Sequence, residues 1–180
     1  MTFVEVRNKL IARLWEYLGC PVVLSNQIQP EAEVPFGIYT VTAPYVSDGG
    51  LGDISAREAE GGMEVIRMEM PSATFSFTFC SQDRTDAEGK PVSGADEAET
   101  LASQAVGYFL HAGYDDFLQL GVAVVEVGQT QDRTVLLVDE AARRVGFDVR
   151  IRYTRQDTRL VPTVEKTRII HKTRKGVSEN

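Results

Sequence analysis

Residues 145–153 carry the pattern that decides the fold, and they read VGFDVRIRY. Apolar side chains alternate over the whole stretch with glycine, aspartate and two arginines. Because successive side chains of a β-strand point to opposite faces, this alternation predicts a strand with one buried face and one exposed polar face. We therefore expect Phe147 and Val149 to lie in the core.

Two stretches have helical rather than strand periodicity. In residues 3–18, apolar side chains recur three and four positions apart. Thr2 and Glu5 are spaced to form a capping box at the start of this helix, and Gly19 supplies its stop. Residues 96–112 form a second, alanine-rich stripe. Trp15 and Phe109 lie on these stripes, so we expect both to be buried.

The remaining strands are indicated by β-branched and aromatic residues. They are predicted at residues 36–45, 63–81, 121–127 and 161–170, the last being a weak edge strand. Within 63–81 the apolar positions change parity at Pro71, which predicts a bulge or bend in one long strand, or else two strands. The glycine-rich residues 46–62 and the polar residues 82–94 are predicted loops.

Together these elements predict one α+β domain over residues 1–170, in the order α-β-β-α-β-β-β, with a basic, flexible tail at 171–180. A mainly antiparallel sheet with both helices packed on one face buries every apolar stripe. The sequence contains no apolar run of membrane-spanning length and no signal-peptide pattern at its start. We therefore expect synthesis in a cytoplasm and no membrane partner.

Residues that carry catalysis or bind metals are scarce. The histidines, His111 and His171, have no cysteine or carboxylate at a metal-binding spacing. The two cysteines are expected to be reduced packing residues. Asp115-Asp116 falls in a predicted turn, where neighbouring carboxylates usually point apart. We therefore predict no catalytic residue, no metal ligand and no cofactor.

The formal net charge of −7 is unevenly distributed. Residues 1–130 hold 19 acids and 7 bases, a net −12, whereas residues 131–180 hold 7 acids and 12 bases, a net +5. Opposite potentials orient association between copies, although separately solvated charges would give the same count. The candidate subunit-interface residues are the strand arginines Arg143, Arg144, Arg150 and Arg152.

These arginines also belong to the sequence's only signal for nucleic-acid binding, since side chains on one face of a strand can meet phosphates. The full set is Arg143, Arg144, Arg150, Arg152, Arg155 and Arg159, followed by Lys172, Arg174 and Lys175. Aromatic residues do not interleave with them on that face, and the whole chain is acidic. A small nucleic-acid-binding module is therefore the alternative from another functional class, and an arginine-lined subunit interface is the more economical interpretation.

Several short pieces carry a resemblance to a known family. They are residues 14–19 (LWEYLG), 21–27 (PVVLSNQ), 35–40 (PFGIYT), 73–79, 96–101 (DEAETL) and 146–151 (GFDVRI). In this order and spacing they resemble the neck-terminator proteins of tailed phages and, more loosely, the tail-terminator and tail-completion proteins. The resemblance extends over residues 1–170.

The resemblance implies a structural virion protein without catalytic residues, synthesised in the host cytoplasm. It implies a tail-terminator-like subunit that assembles into a ring, usually a hexamer, at the head-tail junction. The ring would cap the tail tube and join it to the connector. The implied partners are other copies of the chain, tail tube or sheath protein, a connector or adaptor protein, and passing DNA bound without sequence specificity. The alternative within this class is a tail-completion or connector-adaptor subunit.

Overall fold

The computed structural model describes residues 2–26, 33–134 and 142–162. The helices are α1 (Phe3–Leu18), α2 (Gly94–Gly107) and α3 (Tyr114–Leu120), with a π-helical turn at Tyr108–Ala112. The strands are β1 (Val22–Leu24), β2 (Phe36–Val46), β3 (Asp53–Ala59), β4 (Gly62–Glu69), β5 (Ser72–Ser81), β6 (Arg84–Thr85), β7 (Pro91–Val92), β8 (Val122–Val127), β9 (Gln131–Asp132), β10 (Arg143–Tyr153) and β11 (Arg155–Val161).

The central sheet has the order β1-β2-β5-β10-β8, and β9 also pairs with β10. All of its strand pairs are antiparallel except β1 with β2. The chain is therefore an α+β protein with a mainly antiparallel sheet, as the sequence predicts. A second, three-stranded sheet has the order β11-β4-β3, and we call it the arm.

Both long helices pack on one face of the central sheet, which confirms the predicted layering. Phe3 of α1 lies 6.0 Å from Phe75 between ring centroids, and Phe109 of the π-helical turn lies 5.3 Å from Phe77. The β5 phenylalanines and the facing Phe147 are fully buried. Because each buried large apolar side chain contributes roughly 1.5–3 kcal/mol, this aromatic layer is the main stabilising unit of the fold. Val149 is buried beside it, as expected.

The first helix begins and ends as the sequence predicts, but its tryptophan is not buried. The Thr2 hydroxyl accepts from the Glu5 amide at 3.3 Å, the Glu5 carboxylate accepts from the Thr2 amide at 2.7 Å, and Gly19 is left-handed. Trp15 is 46% exposed, so its predicted burial is wrong. It follows the buried Leu14 by one position, which turns it about 100° around the helix from Leu14 and places it beyond Ile11, outside the edge of the buried stripe.

The second predicted helix is divided, and the turn predicted after it is helical. The α-helix gives way to a π-helical turn at Tyr108, closed by a 2.9 Å hydrogen bond from the Gly113 amide to the Tyr108 carbonyl. This change allows the adjacent Tyr108 and Phe109 both to be buried. Asp115 and Asp116 then form the first turn of α3 rather than a loop. No helix of the described ranges is long and apolar enough to cross a membrane.

Both predicted loops contain strands. Residues 46–62 include β3, which pairs with β4 through a tight turn at residues 60–61. Residues 82–94 include the two-residue pair β6–β7. The prediction of a long loop at 46–62 is wrong because β3 has no buried face: all seven of its residues are exposed, so its sequence shows no apolar alternation.

The parity change at Pro71 marks the junction of two strands, β4 and β5, which belong to different sheets and are joined by a bend, so the two-strand alternative is the one observed. On β5 and β10, Arg143 lies opposite Ser81 and Arg152 opposite Ser72. On β4 and β11 the pairing resumes at Arg155 opposite Glu69, after the same number of residues on each side. The two sheets are thus joined by one continuous two-stranded ribbon. The apolar side chains of β4 therefore lie on one face of the ribbon, and those of β5 lie on the other.

The end of the chain departs from the predicted boundaries. Strand β11 begins at Arg155 and ends at Val161, where the sequence predicts a strand only from 161 onward. Most of that predicted strand, residues 163–170, lies outside the described residues, and so does the predicted tail at 171–180.

Candidate subunit interface

The face of the central sheet that carries no helix is polar, and we call it the polar face. Its side chains come from alternate positions of the two central strands, namely Ser72, Thr74, Ser76 and Thr78 on β5 and Arg144, Asp148, Arg150 and Arg152 on β10. The opposite positions of the same strands are buried under the helices. The alternation that builds the core therefore also builds this surface.

Arg133 organises the middle of the polar face. Its guanidinium donates to Ser76 Oγ at 2.8 Å, to the Phe77 carbonyl at 3.1 Å and to Thr78 Oγ1 at 3.1 Å. It also forms an ion pair with Asp148 at 3.0 Å. The side chain crosses the sheet above Gly146, where a Cβ atom would come within 2.9 Å of it.

Asp148 is the acidic partner of Arg133 on the polar face. Its pKa is lowered, chiefly by a hydrogen bond with Ser76; burial opposes this shift, and the hydrogen bond and charge of Arg133 add to it. The carboxylate therefore stays ionised at neutral pH and neutralises Arg133. Structural pairing accounts for this acid, and the geometry gives it no role as a general base.

Arg150 and Arg152 lie side by side on the same face, where the sequence places them. Arg150 forms an ion pair with Glu126 of β8 at 3.0 Å, and the arginine side chain remains 49% exposed. Arg152 is exposed, and its side chain has no ion pair or hydrogen bond with any residue that the structure describes. The planar guanidinium of Arg152 is available for a bidentate ion pair with a carboxylate of another molecule.

The four predicted interface arginines do not form one cluster. Arg144 lies on the polar face and is half-buried, whereas Arg143 lies on the opposite parity at the end of β10. Sequence reasoning missed Arg133 and Glu126. Arg133 follows the short strand β9 and has no alternation around it, and Glu126 belongs to a strand that reads as a buried apolar run.

A shallow groove of about 390 Å³ opens on the polar face. Polar side chains line most of it, including Thr74, Gln129, Gln131, Arg133, Asp148 and Arg150. These are groups that hydrogen-bond to a protein surface, and they include no nucleophile with an adjacent base. Across residues 2–26, 33–134 and 142–162, no group of three histidine, cysteine or acidic side chains is placed to hold a metal ion.

The side chains of a type that could carry catalysis or bind a metal are accounted for by their positions in the fold. His111 and Asp115 are exposed on the surface around α3. Asp116 accepts a 2.9 Å hydrogen bond from the Tyr108 hydroxyl and lies 3.3 Å from the Arg13 guanidinium. Cys20 and Cys80 are buried, as expected for packing residues.

An ionic cluster closes the base of the arm. Glu69 is buried, and its carboxylate contacts Arg67 at 2.6 Å, Tyr45 Oη at 3.2 Å and Arg155 at 3.7 Å. Asp157 joins Arg67 at 3.1 Å and Arg155 at 3.2 Å. Because these contacts connect β2, β4 and β11, they fix the direction in which the arm leaves the body.

Comparisons with known proteins identify the family. A family model described as phage neck terminator protein matches residues 8–175. Comparison with curated protein sequences gives no match. A solved structure 15% identical in sequence covers 91% of this chain and 99% of its own chain, with a TM-score of 0.41. That structural likeness carries no inference, whereas the family model spans nearly the whole sequence. The chain therefore belongs to the family of phage neck terminator proteins.

Proposed function

We propose that copies of this chain close into a ring, a hexamer, at the head-tail junction of the virion. The ring caps the tail tube and joins it to the connector, and DNA passes through its middle. The observation that carries the proposal is the family match over residues 8–175, which makes the chain a structural protein of the phage neck and tail. The family is structural, and the polar face supports association rather than catalysis.

The charges of the subunit support a head-to-tail arrangement. The polar face presents Arg150 and Arg152, whereas residues 1–130 carry a net −12. Two different surfaces that attract each other make heterologous contacts, and such contacts close into a ring when the rotation between neighbours allows. Arg150 is already paired with Glu126, whereas the Arg152 side chain has no ion-pair partner among the described residues and so supplies the clearer attraction.

The test of the ring is the oligomeric state. Native mass spectrometry and electron microscopy of the purified protein should show a closed oligomer of six chains, either alone or after addition of purified tail tubes. The double variant Arg150→Glu with Arg152→Glu should weaken ring formation more than it lowers the thermal unfolding temperature. The matched control is Lys9→Glu with Arg7→Glu on α1, which makes the same charge change on the helix layer.

The outcome separates the ring from its alternatives. A wild-type protein that stays monomeric with tail tubes but assembles on connectors would favour a connector-adaptor subunit of the same neck. Binding to free nucleic acid that weakens steeply with salt and is lost in the arginine variant would favour the nucleic-acid-binding module. A monomer that binds none of these would contradict the proposal.

A further inference from the structure

The arm has no helix or second sheet packed over it among the described residues. All seven residues of β3 are exposed, and the arm and its base carry half of the large exposed apolar side chains of the described residues. They are Tyr45, Val46, Leu51, Ile54, Met68, Met70 and Leu160. Apolar side chains gathered on a projecting sheet mark a surface for contact with another molecule.

The register of the ribbon sets the face on which the apolar residues of β4 lie. Since no residue is inserted at Pro71, Ile66 and Met68 continue the face of Thr74, and Phe75 lies on the other face. The helices pack on the Phe75 side. The apolar residues of β4 at these positions therefore point to the side that lacks helices.

The tip of the arm is acidic. Glu58 lies near the end of β3 and Glu60 lies in the turn at residues 60–61, and both are exposed. Neither forms an ion pair with a described residue, whereas the nearby Glu64 is paired with Arg57. Two carboxylates at the end of a projecting sheet attract a basic surface on a partner.

The tip cannot reach the basic surface of its own chain. Strand β4 runs from Gly62 at the tip to Glu69 at the base, which is roughly 23 Å of extended strand at about 3.3 Å per residue. The ionic cluster around Glu69 holds the base of β4 against the body of the protein. The polar face with Arg150 and Arg152 begins only beyond the base, so any contact between the two must join separate copies.

We propose that the arm of one copy docks on the polar face of the next copy, with Glu58 and Glu60 against Arg152 and Arg150. The tip supplies the negative charge and the polar face the positive charge. The groove of about 390 Å³ beside Arg150 receives the turn at residues 60–61. This docking rests on the proposed ring and names the two surfaces that close it.

Cross-linking tests the contact directly. The variant Glu60→Cys with Arg152→Cys, treated with a short bismaleimide, should give a ladder of covalent multimers on a denaturing gel that ends at the ring size. Both natural cysteines are buried, so the introduced thiols react selectively. The matched control is Glu60→Cys with Glu16→Cys, which pairs the tip with an exposed position on the helix layer and should give no ladder.

Charge exchange supplies a second measurement. Glu60→Arg and Arg152→Glu should each raise the dissociation constant between copies by about tenfold, since each places like charges together. The two changes combined in one chain should restore association, because every interface then has the reversed pair. Glu16→Arg is the control and should leave association unchanged.

Failure of the proposed docking can be distinguished from failure of the proposed ring. A wild-type ring whose paired cysteines give no ladder and whose charge exchange gives no rescue would overturn the docking and leave the ring standing. A wild-type chain that forms no oligomer, alone or on tail tubes, would overturn the ring and the docking with it.

Discussion

The hydroxyl of Tyr108 donates a 2.9 Å hydrogen bond to the carboxylate of Asp116. Tyr108 is fully buried in the π-helical turn, and burial first and Asp116 second raise its pKa. We expect Asp116→Ala to lower the free energy of unfolding by about 1–3 kcal/mol, because it leaves a buried hydroxyl without its acceptor. Urea unfolding measures this change.

Asp115 provides the matched control for that prediction. It is adjacent and exposed, so Asp115→Ala should change stability by no more than about 0.5 kcal/mol. His111→Ala should be equally mild. Assembly should survive all three replacements, since none of these residues is assigned chemistry. Loss of assembly in a variant that unfolds normally would reopen the question of activity.

Two glycines should respond to alanine with opposite signs. At Gly146 a Cβ atom would lie 2.3 Å from the Phe77 carbonyl oxygen and would also displace Arg133, so Gly146→Ala should cost about 1–3 kcal/mol. At Gly107, inside a helix, nothing lies within 4 Å, so Gly107→Ala should stabilise by about 0.5–1 kcal/mol. The thermal unfolding temperature of both variants is the measurement. Equal shifts in that temperature would contradict the position of the Arg133 side chain above Gly146.

Acid should weaken the fold through Glu97. Arg84 holds both carboxylate oxygens, at 2.6 and 2.8 Å, and Ser81 donates to the same group. These contacts, Arg84 first, lower the pKa of Glu97 below 4.5. Because the folded pKa is the lower one, the stabilisation is present above pH 4.5 and is lost as the pH falls through the folded value.

Comparison with Glu97→Gln isolates this effect. The wild type should lose more stability than the variant when the pH is lowered from 6 to about 3. Glu99→Gln on the same helix has an exposed side chain, so its stability should follow the wild-type curve. Chemical unfolding at a series of pH values gives the comparison, and parallel curves for wild type and Glu97→Gln would refute it.

The ionic cluster at the base of the arm should control the arm's rigidity. Glu69→Ala removes the carboxylate that joins Tyr45, Arg67 and Arg155, so amide exchange should accelerate in β3, β4 and β11 while β5 and β10 stay protected. Glu64→Ala, which removes only the exposed pair with Arg57, is the control. Hydrogen-exchange mass spectrometry distinguishes the strands of the arm from β5 and β10. Uniform acceleration would instead indicate loss of global stability.

The sequence predicts those elements whose burial is one-sided. Strand β10 alternates between a phenylalanine-lined core and a polar face, and α1 carries a complete capping box, so both follow from local pattern. The fold class and the exposure of Arg150 and Arg152 follow with them. Strand β3 leaves no such signal, because all seven of its residues are exposed.

The candidate interface was predictable only in part, since its central residue is positioned by tertiary structure. Arg133 reaches Ser76, Thr78 and Asp148 across two strands far away in sequence. No spacing rule connects those positions. The π-helical turn is similar: its extra residue per turn depends on the packing of Tyr108 against α1 and α3.

Strand β3 is the outer strand of the arm, and along its outer edge no described strand pairs with its backbone amides and carbonyls. Such an edge is a template on which identical chains can add without limit and grow into fibrils. Asp53, Arg57 and Glu58 place charges along this short edge, and edge charges oppose stacking of like strands. An edge charged in this way disfavours pairing with a second β3 and favours a neighbour whose charges are complementary.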